Sequence, residues 1–206
     1  MAMHLRSSLN VTPRFGTSHL TTHNSSLNGH YKSFTSLSDE YLFIEYNTRG
    51  VFAFKRAADA LVRILPLGIS HPVSYHLLMD AKLALQDVVK INEQLFEQLD
   101  IQRFFFCVRP YYKPYRVGQH EYRGANAGDF AGINELDILL GLCGADNTSY
   151  SQLLVDKLLY MMPYDQQRLR DVMRQTSLLD SFLAASNDQI DQDWYQRNTA
   201  LLLEVC

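Results

Sequence analysis

The 206-residue chain is long enough for one domain with a sizeable core, or for two small domains. Its composition, 47% hydrophobic and 20% charged, is typical of a globular protein and excludes a disordered one. The net charge of −3, with both signs interspersed and no basic run, predicts neither a nucleic-acid partner nor an acidic membrane surface.

The cysteines and the start of the chain indicate a cytoplasmic protein. Cys107, Cys143 and Cys206 stand far apart, without a CxxC pair or a Cys/His spacing that suits zinc. We therefore expect reduced thiols and no metal site of this kind. No apolar run approaches the roughly 18 residues that a membrane helix needs. No secretion signal opens the chain either.

The first 40 residues differ in composition from the rest. Residues 1–38 contain no Asp or Glu, thirteen Ser or Thr, and four of the seven His. Such a start can be an organelle transit peptide, but it has no convincing amphipathic helix. We predict a poorly structured arm over 1–40, or an arm that packs on another subunit, followed by a helical domain over 41–206.

Amphipathic helices are predicted along most of that domain. The run YLFIEY allows either a short strand or a first helical turn. Apolar residues then recur at steps of three and four, which is the spacing of a buried helical face. Breakers, caps and this spacing together predict helices over about 52–65, 72–99, 130–142, 149–162, 164–185 (with a break near Ser177) and 188–206.

The segment between the second and third of these helices is irregular. RFFFCVR could be strand or helix, whereas Pro110 and Pro114 exclude a continuous helix after it. We expect an extended, loop-like segment there, with Asp129 as the N-cap of the next helix. The last helix finishes on LLLEVC without a terminating residue, which predicts a fold that is incomplete at the C-terminus.

The short sequence EYRGANAGD, at 121–129, contains the candidate site. Gly124 and Gly128 allow a close backbone approach, and Arg123 offers a planar fork to a carboxylate. Asn126 can both donate and accept, and a helix N-terminus follows. These residues predict a site for a small anionic ligand.

Tyrosines in and beside this sequence, Tyr115 and Tyr122 among them, could form the walls of a pocket for a flat aromatic ring. The pattern is neither a P-loop nor a dinucleotide-binding fingerprint. The residues by themselves leave an alternative open. In that alternative the stretch is a tight structural joint, and Arg123 pairs internally with Asp129 or Asp137.

Residues of about 100–185 resemble the PrnB-type family, which is related to tryptophan 2,3-dioxygenase and indoleamine 2,3-dioxygenase. The segments that carry the resemblance are FFFCVRPYYKPYRVGQHEYRGANAGDFAGINELDILLGLCGAD, SYSQLLVDKLLYMMPYDQQRLR and SLLDSFL, and YRGANAGDFAGIN is the most specific part. The resemblance implies an all-α helical bundle of the indoleamine/tryptophan dioxygenase type. It also implies haem b, dioxygen, and tryptophan or a related indole or phenol amino acid as substrate.

One feature of the relatives has no counterpart in this chain. Their proximal haem histidine lies on a later helix, whereas here no His follows His120. His71, His76 and His120 do not match that position, so an axial ligand is not identifiable. We therefore expect the chain to supply the substrate side of the site. Arg123 would act as the carboxylate clamp, and Tyr122, Asn126 and Asp129 would shape the pocket.

Two other functions remain open at this point. One is a non-catalytic helical interaction protein without haem, associating through an exposed final helix. The other is a metal hydrolase that uses His71, His76 or His120, although no two of them stand four apart with an adjacent Glu. The arm and an open apolar helix also favour a homo-oligomer.

Overall fold

The computed structural model describes residues 15–25, 28–125, 127–144, 146–190 and 192–206. The α-helices, in chain order, are α1 Thr17–Leu20, α2 Ser38–Ile64, α3 Pro72–Gln98, α4 Ile101–Arg103, α5 Ala131–Leu139, α6 Thr148–Leu158, α7 Pro163–Val172, α8 Leu178–Leu183, α9 Asn187–Ile190 and α10 Asp193–Val205. Between α4 and α5 lie a π-helix (Phe104–Val108), two 3-10 turns (Arg109–Tyr112 and Ala127–Asp129) and the strands β1 Tyr115–Val117 and β2 His120–Tyr122. The predicted all-α fold is confirmed.

A long antiparallel pair, α2 and α3, forms the centre of the molecule. Each helix has 27 residues, about 40 Å at 1.5 Å per residue. Near one end of the pair the Gln98 amide donates to the Tyr46 hydroxyl at 2.6 Å, and further along Arg56 bonds Asp87 at 2.8 Å. Small side chains let the two helices approach closely; the buried ones are Ala53, Ala57, Ala58, Ala60, Ala81 and Ala84.

Helix α2 begins 14 residues before the predicted start at 52, so YLFIEY is helical. Ile44, Thr48 and Val51 continue the buried face of the helix toward its N-terminus. Gly50 lies inside the helix with open space around it, and it does not end the helix. Of the two alternatives for YLFIEY, the helical one is confirmed and the strand is excluded. The predicted helix start at 52 was wrong, because burial of this face outweighs the low helix propensity of Gly50.

The described part of the predicted arm is folded onto the body. Leu20 belongs to a buried cluster with Ile44, Phe104 and Tyr112. The Glu40 carboxylate, which is fully buried, accepts hydrogen bonds from the Phe34 and Thr35 backbone amides and from the Tyr112 hydroxyl. Residues 1–14, 26 and 27 lie outside the described part of the chain, and the domain division at residue 40 stays a prediction.

The segment between α3 and α5 is tightly folded. Phe104–Val108 is helical, and Pro110 is the second residue of a 3-10 turn, so the extended conformation that we predicted is found only in the hairpin that follows. In that hairpin Tyr115 pairs with Tyr122 and Arg116 with Glu121. The prediction of Asp129 as an N-cap was wrong. Asp129 ends a 3-10 turn, and Phe130 occupies the N-cap position of α5.

The C-terminal helices close the main core against α2 and α3. The predicted break near Ser177 is confirmed, because its hydroxyl accepts from the Asp180 amide and caps α8. The N-cap of α6 is Asn147, so the helix begins at Thr148, one residue before the predicted start at 149. On α10, Leu201, Leu202 and Val205 are buried in the main core, so the apolar face of the last helix is covered by α3 and its neighbours. No helix in the described ranges has the length and apolar character to cross a bilayer.

Candidate functional site

Arg123 follows β2 directly and lies against a buried carboxylate. Its Nη2 atom is 3.1 Å from Oδ1 of Asp129, whose side chain is only 2% exposed, whereas 36% of the Arg123 side chain is exposed. The guanidinium also lies 5.9 Å from the centroid of the Tyr160 ring. The backbone N–H of Arg123 donates to the Tyr160 hydroxyl at 3.1 Å. The guanidinium is thus fixed on one side and accessible on the other.

The internal pair with Asp129 is one of the alternatives that the residues left open. It forms because the 3-10 turn 127–129 brings Asp129 back to the end of β2. Burial raises the pKa of Asp129, while the positive charges of Arg123 and Lys157 act against that rise. Oδ1 of Asp129 has no hydrogen bond of good geometry among the described residues. The carboxyl group therefore depends on nearby cations to stay ionised.

A polar group under the 127–130 loop supports this arrangement. Asn134 is fully buried on α5 and donates to the Gly128 and Phe130 carbonyls at 3.1 and 2.8 Å. Lys157, from α6, donates to the Asn134 side-chain oxygen at 2.9 Å, and burial lowers the pKa of Lys157. Asn134, Lys157 and Tyr160 were not predicted from the sequence as site residues. The available signal was the polar pair Asn134 and Glu135 between the apolar residues Ile133 and Leu136 of α5.

The two tyrosines predicted to wall in a ring stack on each other. Tyr115 and Tyr122 are cross-strand partners, with ring centroids 5.5 Å apart and planes at 17°. Tyr122 is buried, and the Tyr115 hydroxyl accepts from the Phe15 backbone amide at 3.3 Å. The outer face of Tyr115 therefore remains for contact with another ring.

A cavity lies next to the hairpin, on the side of the N-terminal segment. It has a volume of about 380 Å³, and its lining includes Phe15, Phe34, Tyr112, His19 and Lys32. Phe34 stacks on Tyr111, with centroids 5.5 Å apart. The cavity thus combines aromatic walls with a basic side chain, a combination that suits a small aromatic ligand.

Gly124 is buried at a point where the chain packs on its own backbone. A Cβ atom at this position would lie 1.9 Å from the Tyr112 carbonyl oxygen. The close approach that the sequence analysis expected at Gly124 is thus an approach to Tyr112. Asn126, the remaining predicted site residue, lies outside the described residues.

The described histidines do not fit an axial haem ligand in a dry pocket. The Nδ1 atoms of His19 and His71 accept backbone hydrogen bonds, from Gly16 at 3.2 Å and from Val73 at 3.1 Å. A neutral ring that accepts at Nδ1 has its proton on Nε2, so neither nitrogen is free to bind iron.

The other histidines give no better fit. The other described histidines, His23, His30 and His76, are exposed, and the side chain of His120 lies outside the described residues. Among the side chains that the structure describes, no group of three or more His, Cys, Asp or Glu could hold a metal ion. We therefore derive no step through iron from these residues.

Comparison with known families identifies the chain. A family model described as monodechloroaminopyrrolnitrin synthase PrnB matches residues 1–206. This match confirms the resemblance seen around YRGANAGDFAGIN, and it also includes the N-terminal segment, where the sequence analysis saw no resemblance. With its helical fold and with this match, the chain belongs to the PrnB family of the superfamily of tryptophan 2,3-dioxygenase and indoleamine 2,3-dioxygenase.

Proposed function

We propose that this chain forms the substrate-binding side of an aromatic oxygenase. Its substrate would be tryptophan or a related aromatic amino acid, and its co-substrate would be dioxygen. Family membership supports oxygenase chemistry on an aromatic compound. The main evidence for the site is the position of Arg123. Its guanidinium contacts buried Asp129 and the Tyr160 ring, while 36% of its side chain is exposed.

The anchoring matches the requirements of a carboxylate clamp. A guanidinium has five N–H donors in one plane, and the pair with Asp129 uses only part of them. A substrate carboxylate would accept hydrogen bonds on the exposed edge, in a charge-assisted and geometrically specific contact. Asp129 and the Tyr160 ring would hold that edge in place before the substrate arrives, which lowers the entropic cost of binding.

Haem b is the cofactor expected for the family, where it activates dioxygen. The residues described above do not supply its axial ligand, so the proposal concerns the substrate alone. The cytoplasmic location expected from the cysteine pattern also stays a prediction.

The proposal is tested with Arg123→Gln and two ligands, L-tryptophan and tryptamine, which differ by the carboxylate. We expect the substitution to weaken tryptophan binding about 10- to 100-fold, the range for a lost charged hydrogen bond, and to leave tryptamine unaffected. Isothermal titration calorimetry measures both affinities. Arg116→Gln is the matched control, since Arg116 lies on the same hairpin but its side chain is 73% exposed. Unchanged tryptophan affinity in Arg123→Gln would rule out the clamp.

A non-catalytic interaction protein is the second candidate function. It is favoured by apolar side chains exposed at the end of α3, on α4 and along the π-helix, namely Phe96, Ile101, Phe105 and Phe106. Exposed apolar groups of this size are typical of protein interaction surfaces. The covered face of α10 is not such a surface, in contrast to our expectation of association through the last helix.

A further inference from the structure

A groove between α3 and α10 is lined by other residues than the Arg123 site and the cavity next to the hairpin. It has a volume of about 590 Å³, within the range of about 300–1,000 Å³ that is usual for small-molecule sites. Its lining includes Tyr75, Met79 and Lys82 from α3, and Trp194, Arg197 and Leu201 from α10. None of these six residues belongs to the Arg123 site.

Ring contacts, a buried floor residue and a buried hydrogen bond hold the aromatic side chains of the groove in place. The rings of Trp194 and Tyr75 meet edge to face, with centroids 6.3 Å apart and planes at 60°. Leu201, only 5% exposed, forms part of the floor. Helix α10 is fixed by the fully buried Asn198, whose amide donates to the Ile69 carbonyl at 2.6 Å. The groove is therefore preformed.

The charge in the groove is positive and is not balanced by the chain. Lys82 bonds the Glu204 carboxylate, so the acid that lines the groove is already paired. Arg197 lies over the Trp194 ring, with Cζ 5.4 Å from the ring centroid. Among the described residues Arg197 makes no ion pair or hydrogen bond, so its five donors are available to a ligand.

We propose that this groove is a second ligand site, which binds a small planar aromatic carboxylate. The ligand ring packs against Trp194 and Tyr75, where apolar and aromatic side chains exclude water. Its carboxylate accepts hydrogen bonds from Arg197, whose guanidinium lies over the indole ring beside the aromatic walls. The site does not depend on the proposed oxygenase function.

Trp194 provides a direct test, because it is the only tryptophan in the sequence. The probe is 4-nitrobenzoate, a nitroaromatic quencher of indole fluorescence, compared with the neutral 4-nitrobenzamide. We expect saturable quenching by the acid, with an affinity at least tenfold higher than that of the amide. Arg197→Gln removes this preference, and Ala200→Glu, which places an acid on an exposed position of the groove, weakens binding of the acid as well.

Two controls separate this site from others. Arg49→Gln removes a guanidinium that lies over the Tyr46 ring at 5.0 Å, outside the groove, and leaves binding unchanged. Arg123→Gln also leaves it unchanged. Tryptophan is itself an aromatic carboxylate, so it is also a potential ligand of the groove. The calorimetric titration with tryptophan that tests Arg123 is therefore repeated with proteins that also carry Arg197→Gln. Non-saturable quenching, equal affinity for acid and amide, or full binding by Arg197→Gln would each overturn the proposal.

Discussion

Glu135 is a buried acid whose environment sets its protonation. It lies on α5 with a side chain only 2% exposed, and Arg168 contacts it at 2.9 Å. Burial raises the pKa of Glu135 to about 7, because desolvation of the carboxylate outweighs the attraction of Arg168, and Asp165 and Asp59 raise it further. Arg168 is shared between Glu135 and Asp59, so its charge does not serve Glu135 alone.

This raised pKa predicts a pH-dependent stability. Between pH 4.5, the ordinary value, and about 7 the folded protein retains a proton on Glu135 that the unfolded chain has released. Raising the pH through this window therefore lowers the free energy of unfolding. In Glu135→Gln this contribution to the decrease of the unfolding free energy with pH is absent. Urea unfolding of both proteins at pH 5, 6 and 7 measures the difference.

The control for this experiment is Glu93→Gln, an exposed glutamate on α3. The unfolding free energy of this variant should depend on pH as it does in the unsubstituted protein. The other side chains are the same in all three proteins, so the difference between the pH dependences isolates Glu135. Identical slopes for Glu135→Gln and the unsubstituted protein would contradict the prediction.

In the segment from the π-helix to α5, the 3-10 turn Arg109–Tyr112 restricts the path of the loop that follows β2. The 3-10 turn Arg109–Tyr112 and the loop after β2 cross so closely that residue 124 has no room for a side chain. The same crossing leads the chain from β2 to the turn that brings Asp129 to Arg123. The position of Arg123 thus depends on a backbone contact as well as on its ion pair.

Gly124→Ala is expected to destabilise the protein by about 1–3 kcal/mol, the usual cost of overpacking. The added methyl group would meet backbone atoms of Tyr112 and Lys113, which cannot move aside as a flexible side chain would. Gly50→Ala is the opposite case, because nothing lies within 4 Å of its Cβ position in the middle of α2. It should stabilise by about 0.5–1 kcal/mol through helix propensity. Urea unfolding that gives equal effects for the two variants would contradict this account.

At the scale of the whole molecule, apolar groups divide between one large core and a partly uncovered surface. The core includes side chains from α2, α3, α5, α6, α7, α8 and α10. In contrast, Phe96, Phe105 and Phe106 are 63%, 57% and 75% exposed. Each aromatic ring can bury roughly 150–250 Å², so covering these three would bury several hundred Å² of apolar surface.

We therefore expect concentration-dependent self-association through this surface. Analytical ultracentrifugation of the protein and of a variant with both Phe105→Ser and Phe106→Ser measures it, and the variant should sediment as a monomer. Leu183→Ser is the control, since Leu183 is 77% exposed on a different helix, α8. A monomer at all concentrations, or a dimer unaffected by the double substitution, would exclude this surface as the interface.

The sequence by itself determined the helical class, the family and most of the helix positions. Apolar residues at steps of three and four define a buried helical face in any tertiary context, so α3 was predicted to within a residue of Pro72–Gln98. Residues near the site were also identifiable by type, because Arg123, two glycines and Asp129 stand within seven positions. From sequence, Asp129 and Asp137 were both possible partners of Arg123. Distant partners such as Tyr160 could not be identified, since sequence has no information on which distant segments meet.

Only the tertiary structure decided what Arg123 and its neighbours contact. Asp129 became a buried ion-pair partner instead of a helix cap, because the loop between β2 and α5 turns back over Asn134 and Lys157. Trp194 and Arg197, which the sequence placed on an ordinary amphipathic helix, line a groove because α10 packs across α3. Local propensity acts over a few residues, whereas Asn134 and Lys157 are 23 positions apart and Tyr75 and Trp194 are more than a hundred apart, so only packing of the whole chain brings these side chains together.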